Sequence, residues 1–251
     1  MNEINENNDI KLYNGDCLEV MDRLIKQGVK VDAIITDPPY KHEKGGRGKM
    51  LLGMSLDRQE FNMKELGDFG ENEIYNFLEK ADKCLKNTNM YVFCSEKQLP
   101  YYLNWCGLKR KKFNLLTWNK PLSVMNRERY STNIEYIVRI YTNGCALNKV
   151  DFDTYPEKTI YYSKYKTFNQ IRGANKLHPS QKPIEILTQF IELSSNENEI
   201  ILDPFVGSGS TGVAAINLNR KFIGIELDEN YFKIASDRIH RAIQEKNNNI
   251  D

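Results

Sequence analysis

The stretch Ile200-Ile-Leu-Asp-Pro-Phe-Val-Gly-Ser-Gly-Ser-Thr-Gly212 decides the fold. An apolar, strand-like run enters a turn with three closely spaced glycines, and the helical pattern of 213–218 follows. Glycine in such a turn lets the backbone approach a ligand and lets the helix pack on the strand. The stretch therefore predicts a strand, a tight turn and a helix. A turn that needs glycine only for packing would have the same pattern, so the glycines alone do not identify a ligand.

The next predicted strand, Lys221–Glu226, ends in a carboxylate that could accept both hydroxyls of an adenosine ribose. No lysine follows the glycines, so a phosphate-binding P-loop is disfavoured. Asp203, directly before the turn, would repel a pyrophosphate but could bind the ammonium of an amino-acid tail. The glycine pattern alone is also compatible with a nicotinamide cofactor, whereas Asp203 favours S-adenosylmethionine.

Strand-like and helix-like segments alternate along the chain. This order predicts an α/β protein in which a mostly parallel twisted sheet has helices on both faces. Two further strands without a helix between them would form an antiparallel pair at one edge. The predicted strands are Val31–Thr36, Met90–Cys94, Phe113–Trp118, Ile134–Tyr141, Glu199–Leu202 and Lys221–Glu226, and the predicted helices are 17–27, 71–86, 96–106, 184–194, 211–218 and 229–244.

A second unusual strand end is Asp37-Pro38-Pro39-Tyr40. The prolines stiffen the turn and remove backbone donors, so that it presents a carboxylate, bare carbonyls and an aromatic ring. Asp37 and the Pro38 carbonyl could accept hydrogen bonds from an aromatic amine and aim its lone pair at a methyl donor, while Tyr40 stacks on the base. The base would have to leave the duplex to reach this pocket. A proline-stiffened strand exit with a capping Asp is the alternative interpretation.

Together these motifs resemble the DNA amino-methyltransferases of the β class, in which the catalytic motif precedes the cofactor motif. The resemblance implies a Rossmann-like S-adenosylmethionine methyltransferase fold for the α/β sheet. Asn14-Gly-Asp16-Cys17-Leu18 and His178-Pro-Ser-Gln-Lys182-Pro183 agree with the same family. The resemblance implies that Asp16 contacts the adenine amino group of the cofactor and that Lys182 contacts its methionine end. The residues that it assigns to cofactor binding are Asp16, Cys17, Lys182, Asp203, Phe205, Gly207, Ser208, Gly209, Ser210, Thr211 and Glu226.

The resemblance also indicates the target. Asp at position 37 is typical of members that methylate adenine N6, whereas Ser is more typical of cytosine-N4 members. Cytosine C5 methylation needs a cysteine nucleophile, and no Pro-Cys pair is present. Methylation of RNA or of a protein glutamine is an alternative in which Asn-Pro-Pro-Tyr is commoner. A catalytically idle DNA-specificity subunit is a further alternative, which the intact motifs disfavour.

Three segments complete the predicted organisation of a single methyltransferase domain, 1–251. A basic, Gly-rich loop, 41–70, would close over the extruded nucleotide, a DNA-recognition insertion would span 109–177, and 178–245 would form the cofactor-binding half. The partner is expected to be double-stranded DNA. Basic residues that could follow its phosphates are Lys109, Arg110, Lys111, Lys112, Lys120, Arg127, Arg129 and Arg172, with an ordinary solvated face as the alternative.

Composition excludes other classes. The five cysteines form no C-x-x-C pair and the three histidines are scattered, which predicts a reduced, metal-free protein. No apolar run approaches the length of a membrane span, and the polar amino terminus does not resemble a signal peptide. We therefore expect a cytoplasmic protein without a membrane partner, and a short recognition site could be read with the help of a homodimer.

Overall fold

The computed structural model describes residues 3–6, 9–40, 69–120, 133–145, 147–148, 160–162 and 182–248. The strands in this part of the chain are β1 (Glu3–Glu6), β2 (Ile10–Asn14), β3 (Ala33–Thr36), β4 (Asn89–Cys94), β5 (Lys112–Asn119), β6 (Ile134–Tyr141), β7 (Ile160–Tyr162), β8 (Ile200–Asp203) and β9 (Lys221–Glu226). The helices are α1 (Cys17–Lys26), α2 (Glu71–Cys84), α3 (Leu99–Leu108), α4 (Ile184–Ser194), α5 (Ser210–Asn217) and α6 (Glu229–Asn248). The strands form one sheet in the order β1-β2-β9-β8-β3-β4-β6-β5-β7.

The centre of the sheet is parallel. Strands β2, β9, β8, β3 and β4 run in the same direction, with Leu202 opposite Ile223 and Ile34 opposite Met90. Every residue of β3 and β4 is buried, as expected for parallel strands covered by helices on both faces. The predicted parallel core is confirmed, and the functionally important carboxyl ends of these strands meet at one edge.

The other side of the sheet is antiparallel. β6 pairs antiparallel with both β4 and β5, which confirms the predicted antiparallel pair, and β7 lies outside β5. The described residues of the predicted recognition insertion therefore contribute strands to the main sheet. Residues 121–132, 146, 149–159 and 163–177 of that segment, and 41–68 of the basic loop, lie outside the described residues, so the recognition roles of these segments stay predictions.

Helices cover both faces of the sheet and complete two apolar cores. Phe190 of α4, Ala214 of α5 and Phe232 of α6 belong to one core. Residues of α1, α2 and α3 belong to the other, including Phe77 and Trp105. The predicted layered α/β fold is confirmed. Within the described ranges, no helix is both long enough and apolar enough to span a membrane.

Close packing at Gly212 yields a stability prediction. A Cβ atom there would lie 2.5 Å from Cδ1 of Ile239 in α6 and 2.9 Å from Cε1 of Phe222 in β9. Gly212→Ala is therefore expected to lower the free energy of unfolding by about 1–3 kcal/mol, the usual cost of overpacking a core. Urea denaturation measured by circular dichroism tests this.

Gly107 in α3 is the matched control, because a Cβ atom there would meet nothing within 4 Å. Gly107→Ala is expected to be neutral or to stabilise the helix by up to about 1 kcal/mol. Equal stability of the Gly212→Ala variant and the wild-type protein would show that the turn and α6 are not packed as described.

Candidate active site

The candidate site lies where the sheet reverses its winding. From β8 the chain continues through α5 to β9 on one side, and from β3 it continues through α2 to β4 on the other side. Such a switch point opens a crevice at the carboxyl ends of the two central strands. Thr36, the last residue of β3, donates a 2.7 Å hydrogen bond to Oδ1 of Asp203, the last residue of β8. The two predicted motifs are thus joined directly.

The glycine turn after β8 adopts the conformation that its sequence requires. Gly207 and Gly209 have φ angles of +54° and +84°, which side chains rarely permit. Asp203 stabilises the turn by accepting a 3.0 Å hydrogen bond from the amide of Phe205, and the Thr211 side chain donates to it as well. Burial raises the pKa of Asp203 to about 6.

The side chains of the other predicted residues in this turn contact neighbouring parts of the protein. Ser208 and Ser210 are buried, and both accept hydrogen bonds from the guanidinium of Arg238 in α6, with the Ser208 Oγ contact at 2.9 Å. Phe205 packs edge-on against Phe69, with ring centroids 5.5 Å apart. Arg238 was not predicted, although it fixes the turn from the opposite side.

Glu226 lies at the far end of the crevice. Its Oε2 accepts a 2.8 Å hydrogen bond from the Gly207 amide, and its Oε1 accepts a 2.9 Å hydrogen bond from the Asp228 amide. Because a carboxylate has about four acceptor positions, each oxygen keeps capacity for a ligand hydroxyl. Burial raises the pKa of Glu226 to about 7. The following residue, Leu227, is 50% exposed and offers an apolar surface beside this carboxylate.

The end of β2 is tied to the end of β9. The Gly15 amide donates to the Glu226 carbonyl at 2.9 Å, and the Asn14 side chain donates to the same carbonyl at 3.0 Å. Asp16 then caps α1, with Oδ1 accepting from the amides of Leu18 and Glu19. Asp16 therefore follows the strand end that is bonded to Glu226, and its contact with the adenine amino group of a cofactor stays a prediction.

Cys17, the first residue of α1, is buried, and burial raises the pKa of its thiol to about 12. The thiol is therefore neutral at physiological pH, and a direct contact with a cofactor stays a prediction.

The Asp37-Pro38-Pro39-Tyr40 turn leaves β3 at the other end of the crevice. The Tyr40 hydroxyl lies 2.7 Å from Oδ1 of Asp37. Gln98 donates to the Pro39 carbonyl at 3.0 Å, which fixes the turn. Asp37 keeps 24% of its side chain exposed, so a substrate can reach it. Burial raises the pKa of Asp37, and the ammonium of Lys182 opposes this effect.

Lys182 forms ion pairs with Asp37 and with Glu135, and the latter contact is 2.8 Å. Burial favours its neutral form, but the two carboxylates outweigh burial and raise its pKa. The contact of Lys182 with the methionine end of a cofactor is not tested and stays a prediction. Glu135 was not predicted from the sequence, and its further partner Lys120 was predicted only as a residue that follows DNA phosphates.

The structure separates the basic residues that the sequence groups together. β5 is antiparallel to β6, which is antiparallel to β4, so Lys112 starts β5 at the edge opposite Asp37. At about 3.3 Å per residue, the eight residues of β5 carry the chain about 26 Å to the site edge, where Lys120 lies. Lys109–Lys112 and Lys120 therefore lie at opposite edges of the sheet, because proximity in sequence along a strand is not proximity in space, and their role in following DNA phosphates stays a prediction. Lys109 and Lys111 instead pair with Glu79 and Asp82.

Three carboxylates, Asp16, Asp203 and Glu226, thus lie at or next to the carboxyl ends of the neighbouring strands β2, β8 and β9. Ionised carboxylates accept hydrogen bonds but donate none, so this set fits a ligand with an amino group, ribose hydroxyls and an ammonium. It does not fit a pyrophosphate, which is negatively charged like the carboxylates. Among the described residues, no group of three or more His, Cys, Asp or Glu side chains is arranged to hold a metal ion.

Comparison with known proteins agrees with the geometry. A DNA methylase family model for N6 and N4 methyltransferases matches residues 31–237. Type II methyltransferase M2.MboI of Moraxella bovis is 28% identical over 253 residues, which cover 94% of this chain and 89% of that protein. The crystal structure of the M1.HpyAVI–SAM complex has a TM-score of 0.68 and 25% identity, and covers 92% of this chain and 98% of that one. The cytosine-N4-specific PvuII DNA methyltransferase has a TM-score of 0.65 at 16% identity, over 94% of this chain and 93% of that one.

The family match covers both strand ends that form the crevice, Asp37 and Asp203. The order of the two motifs in the chain, with Asp37 first, is the permuted order of the β class. The chain belongs to the DNA methylase family and is an S-adenosylmethionine-dependent DNA methyltransferase of the adenine-N6 and cytosine-N4 type.

Proposed function

We propose that this protein transfers a methyl group from S-adenosylmethionine to the exocyclic N6 of adenine in double-stranded DNA, on a base rotated out of the helix. One observation carries the proposal: the Asp37 turn and the Asp203 crevice are neighbours, joined by the 2.7 Å bond from Thr36. An amine held at Asp37 would therefore lie beside a cofactor held at Asp203 and Glu226. Proximity of the two reactants supplies much of the rate enhancement in such transfers.

The cofactor side uses the three crevice carboxylates. Glu226 would accept the ribose hydroxyls, Asp203 would face the ammonium, and Oδ2 of Asp16 would accept the adenine amino group. Leu227 supplies an exposed apolar surface beside them. When bound, the cofactor supplies an electrophilic methyl group on a positively charged sulfur.

The amine side uses the turn after β3. An aromatic amine is a poor nucleophile because its lone pair is delocalised into the ring. Hydrogen bonds from the NH₂ to Asp37 and to the Pro38 carbonyl would hold the nitrogen closer to tetrahedral geometry and localise that lone pair. The ring of Tyr40 would stack on the flipped base.

Adenine rather than cytosine is proposed because of residue 37. Both adenine-N6 and cytosine-N4 enzymes have this fold, as the likeness to PvuII shows, so the fold does not decide the base. Asp at the first position of the motif resembles the adenine-N6 members. The uncharged Ser that is more typical of cytosine-N4 members would be a weaker acceptor for the amine.

The experiment is to incubate the purified protein with methyl-labelled S-adenosylmethionine and mixed-sequence duplex DNA, and then to digest the DNA and identify the labelled nucleoside by mass. Label on N6-methyladenosine is the expected result. Label on N4-methylcytosine would contradict the base assignment while retaining the amine chemistry. Unlabelled DNA with a bound cofactor would contradict the proposal and would point to RNA, a protein or an absent partner subunit.

The affinity for S-adenosylmethionine is expected to rise between pH 6 and pH 8. Ionised Glu226 accepts ribose hydroxyls better than the protonated acid does, and its pKa is about 7. About one tenth of the Glu226 carboxylates are ionised at pH 6 and about nine tenths at pH 8, which contributes about a tenfold fall in the apparent Kd. Asp203, whose pKa is about 6, contributes about a further twofold fall, so the wild-type Kd should fall about twentyfold across this range. Isothermal titration calorimetry measures this change.

Glu226→Gln is the control for the pH dependence. Asp203, whose pKa is about 6, still titrates in that variant, and its ionisation should leave about a twofold change. If the wild-type affinity for S-adenosylmethionine does not depend on pH, the ionised Glu226 does not contribute to cofactor binding.

Two expectations stay predictions. The protein is expected to act inside the cell, where its DNA substrate lies, and a homodimer would help it to read a short site. Analytical ultracentrifugation with and without duplex DNA measures the oligomeric state.

A further inference from the structure

Glu135 is a buried carboxylate that none of the recognised motifs includes. It lies on β6 with 5% of its surface exposed. In the register of the sheet, Cys94 at the end of β4 is opposite Tyr136, so Glu135 lies one residue beyond the carboxyl end of β4. This position brings it to the same edge as Asp37.

The Glu135 carboxylate connects three separate parts of the site. Its Oε1 lies 2.5 Å from the Tyr40 hydroxyl and 2.8 Å from Nζ of Lys182. Its Oε2 pairs with Lys120 at the end of β5. Burial acts to raise the pKa of Glu135, but Lys182 and Lys120 outweigh burial and lower it, so the side chain is ionised. A buried ion pair contributes little net stability compared with apolar packing, so the fold alone does not explain this residue.

Asp37 and Glu135 share the same two donors. Lys182 pairs with both carboxylates, and the Tyr40 hydroxyl oxygen lies 2.7 Å from Oδ1 of Asp37 and 2.5 Å from Oε1 of Glu135. One hydroxyl proton can serve only one acceptor at a time. Asp37 needs free acceptor positions for the amine of a substrate, and Glu135 can retain both donors when Asp37 takes up that amine.

We propose that Glu135 is a positioning residue of the methyl-transfer site, which holds Lys182 and Tyr40 so that the Asp37 carboxylate is free to accept the amine. This inference rests on the proposed function, because it assigns Glu135 a part in amine binding at Asp37. Without Glu135, Lys182 would pair with Asp37 alone and compete with the substrate.

The test is Glu135→Gln, which keeps the size of the side chain but removes its charge. With duplex DNA as substrate, kcat is expected to fall about 10- to 100-fold, as for the loss of a charge-assisted contact. The KM for S-adenosylmethionine should change less than about threefold, because the cofactor carboxylates are untouched and the inference assigns Lys182 to the Asp37 turn rather than to the methionine end of the cofactor. Glu135→Asp, which keeps the charge but is one methylene shorter, should also lower kcat.

The acid limb of the kcat–pH profile gives a second readout. Its position on the pH axis would not change if Glu135 only stabilised the fold. Glu135 raises the pKa of Asp37 through its negative charge, and Lys182 lowers it. In Glu135→Gln the acid limb should therefore shift to lower pH, whereas in Glu135→Asp it should stay in place. The charged or titratable groups around the pair are Tyr40 after β3, Cys94 on β4, Tyr102 on α3, Lys120 after β5, Lys182 before α4 and Asp203 on β8.

Asp82→Asn is the matched control, because Asp82 pairs with Lys111 at 2.7 Å outside the site. It should lower the melting temperature and leave kcat unchanged.

A folded Glu135→Gln variant with wild-type kcat and an unshifted acid limb would overturn the inference, as would a loss confined to the KM for the cofactor. If the Gln variant does not fold, the Asp variant decides: a tenfold or greater fall in kcat supports the role, and wild-type kcat overturns it. A wild-type protein that does not methylate DNA would overturn the proposed function and this inference together.

Discussion

Replacing Asp37 with alanine is expected to abolish measurable methyl transfer to DNA. The carboxylate is the charged acceptor at the end of β3 that could orient the amine, and removing one pre-organised electrostatic contact commonly costs at least about 100-fold in kcat. The Kd for S-adenosylmethionine should stay within about threefold of the wild-type value, because Glu226 and Asp16 remain in place. Single-turnover transfer of labelled methyl groups measures the rate, and calorimetry measures the affinity.

Asp32→Asn is the matched control for Asp37→Ala. Asp32 precedes the opposite end of β3, where it pairs with Lys86 at 2.7 Å and accepts from the Ile200 amide at 3.0 Å. Its replacement should reduce stability without reducing kcat. Near-wild-type turnover by the Asp37→Ala variant would show that the amine is oriented by another group.

Glu226→Ala is expected to weaken S-adenosylmethionine binding by about 10- to 150-fold, which corresponds to about 1.5–3 kcal/mol for charge-assisted hydrogen bonds. The variant also loses the acceptor for the Gly207 amide, so part of the cost reflects a less ordered glycine turn. At saturating cofactor, kcat should recover most of its wild-type value, because Asp37 and Tyr40 are unaltered. Calorimetry and steady-state kinetics separate these two effects.

Glu229→Ala serves as the control for Glu226→Ala. Glu229 begins α6 close to the same strand end, is 62% exposed and pairs with Lys233 on the helix surface. It should not alter cofactor affinity. An unchanged Kd in the Glu226→Ala variant would show that this carboxylate does not bind the cofactor.

Much of the fold was predictable because the central strands are continuous apolar runs. β3, β4, β8 and β9 lie in parallel between helices, so nearly every residue of these strands must be apolar. β1 was not predicted, since Glu3–Glu6 contains a single apolar residue and pairs only at the sheet edge. Short edge strands carry little periodicity, and the sheet, rather than local preference, determines their structure.

The strand-end carboxylates of the site were predictable for a related reason. In a parallel sheet the carboxyl ends of neighbouring strands meet, so Asp37, Asp203 and Glu226 had to share one edge. Glu135 was missed because it lies near the beginning of an antiparallel strand, and only the register with β4 brings it to that edge. The only carboxylate of β6, in a strand whose other residues are apolar or aromatic apart from Arg139, was the available signal.

The basic residues show that residues close in sequence can be far apart in the structure. Lys109–Lys112 and Lys120 are close in sequence, and their charge suggested one phosphate-binding surface. The intervening strand places them at opposite edges of the sheet, and Lys109 and Lys111 are paired with acidic residues of α2. Charge along a chain therefore indicates a binding surface only once strand direction is known.

The most direct test of the central claim is a crystal structure of the protein with S-adenosylhomocysteine, the product of methyl transfer. The account predicts ribose hydroxyls on Glu226, the adenine amino group at Asp16, the ammonium at Asp203, and the sulfur facing Asp37. A ligand bound away from Glu226 and Asp203, or with its sulfur directed away from Asp37, would contradict the assignment of this crevice as the methyl-transfer site.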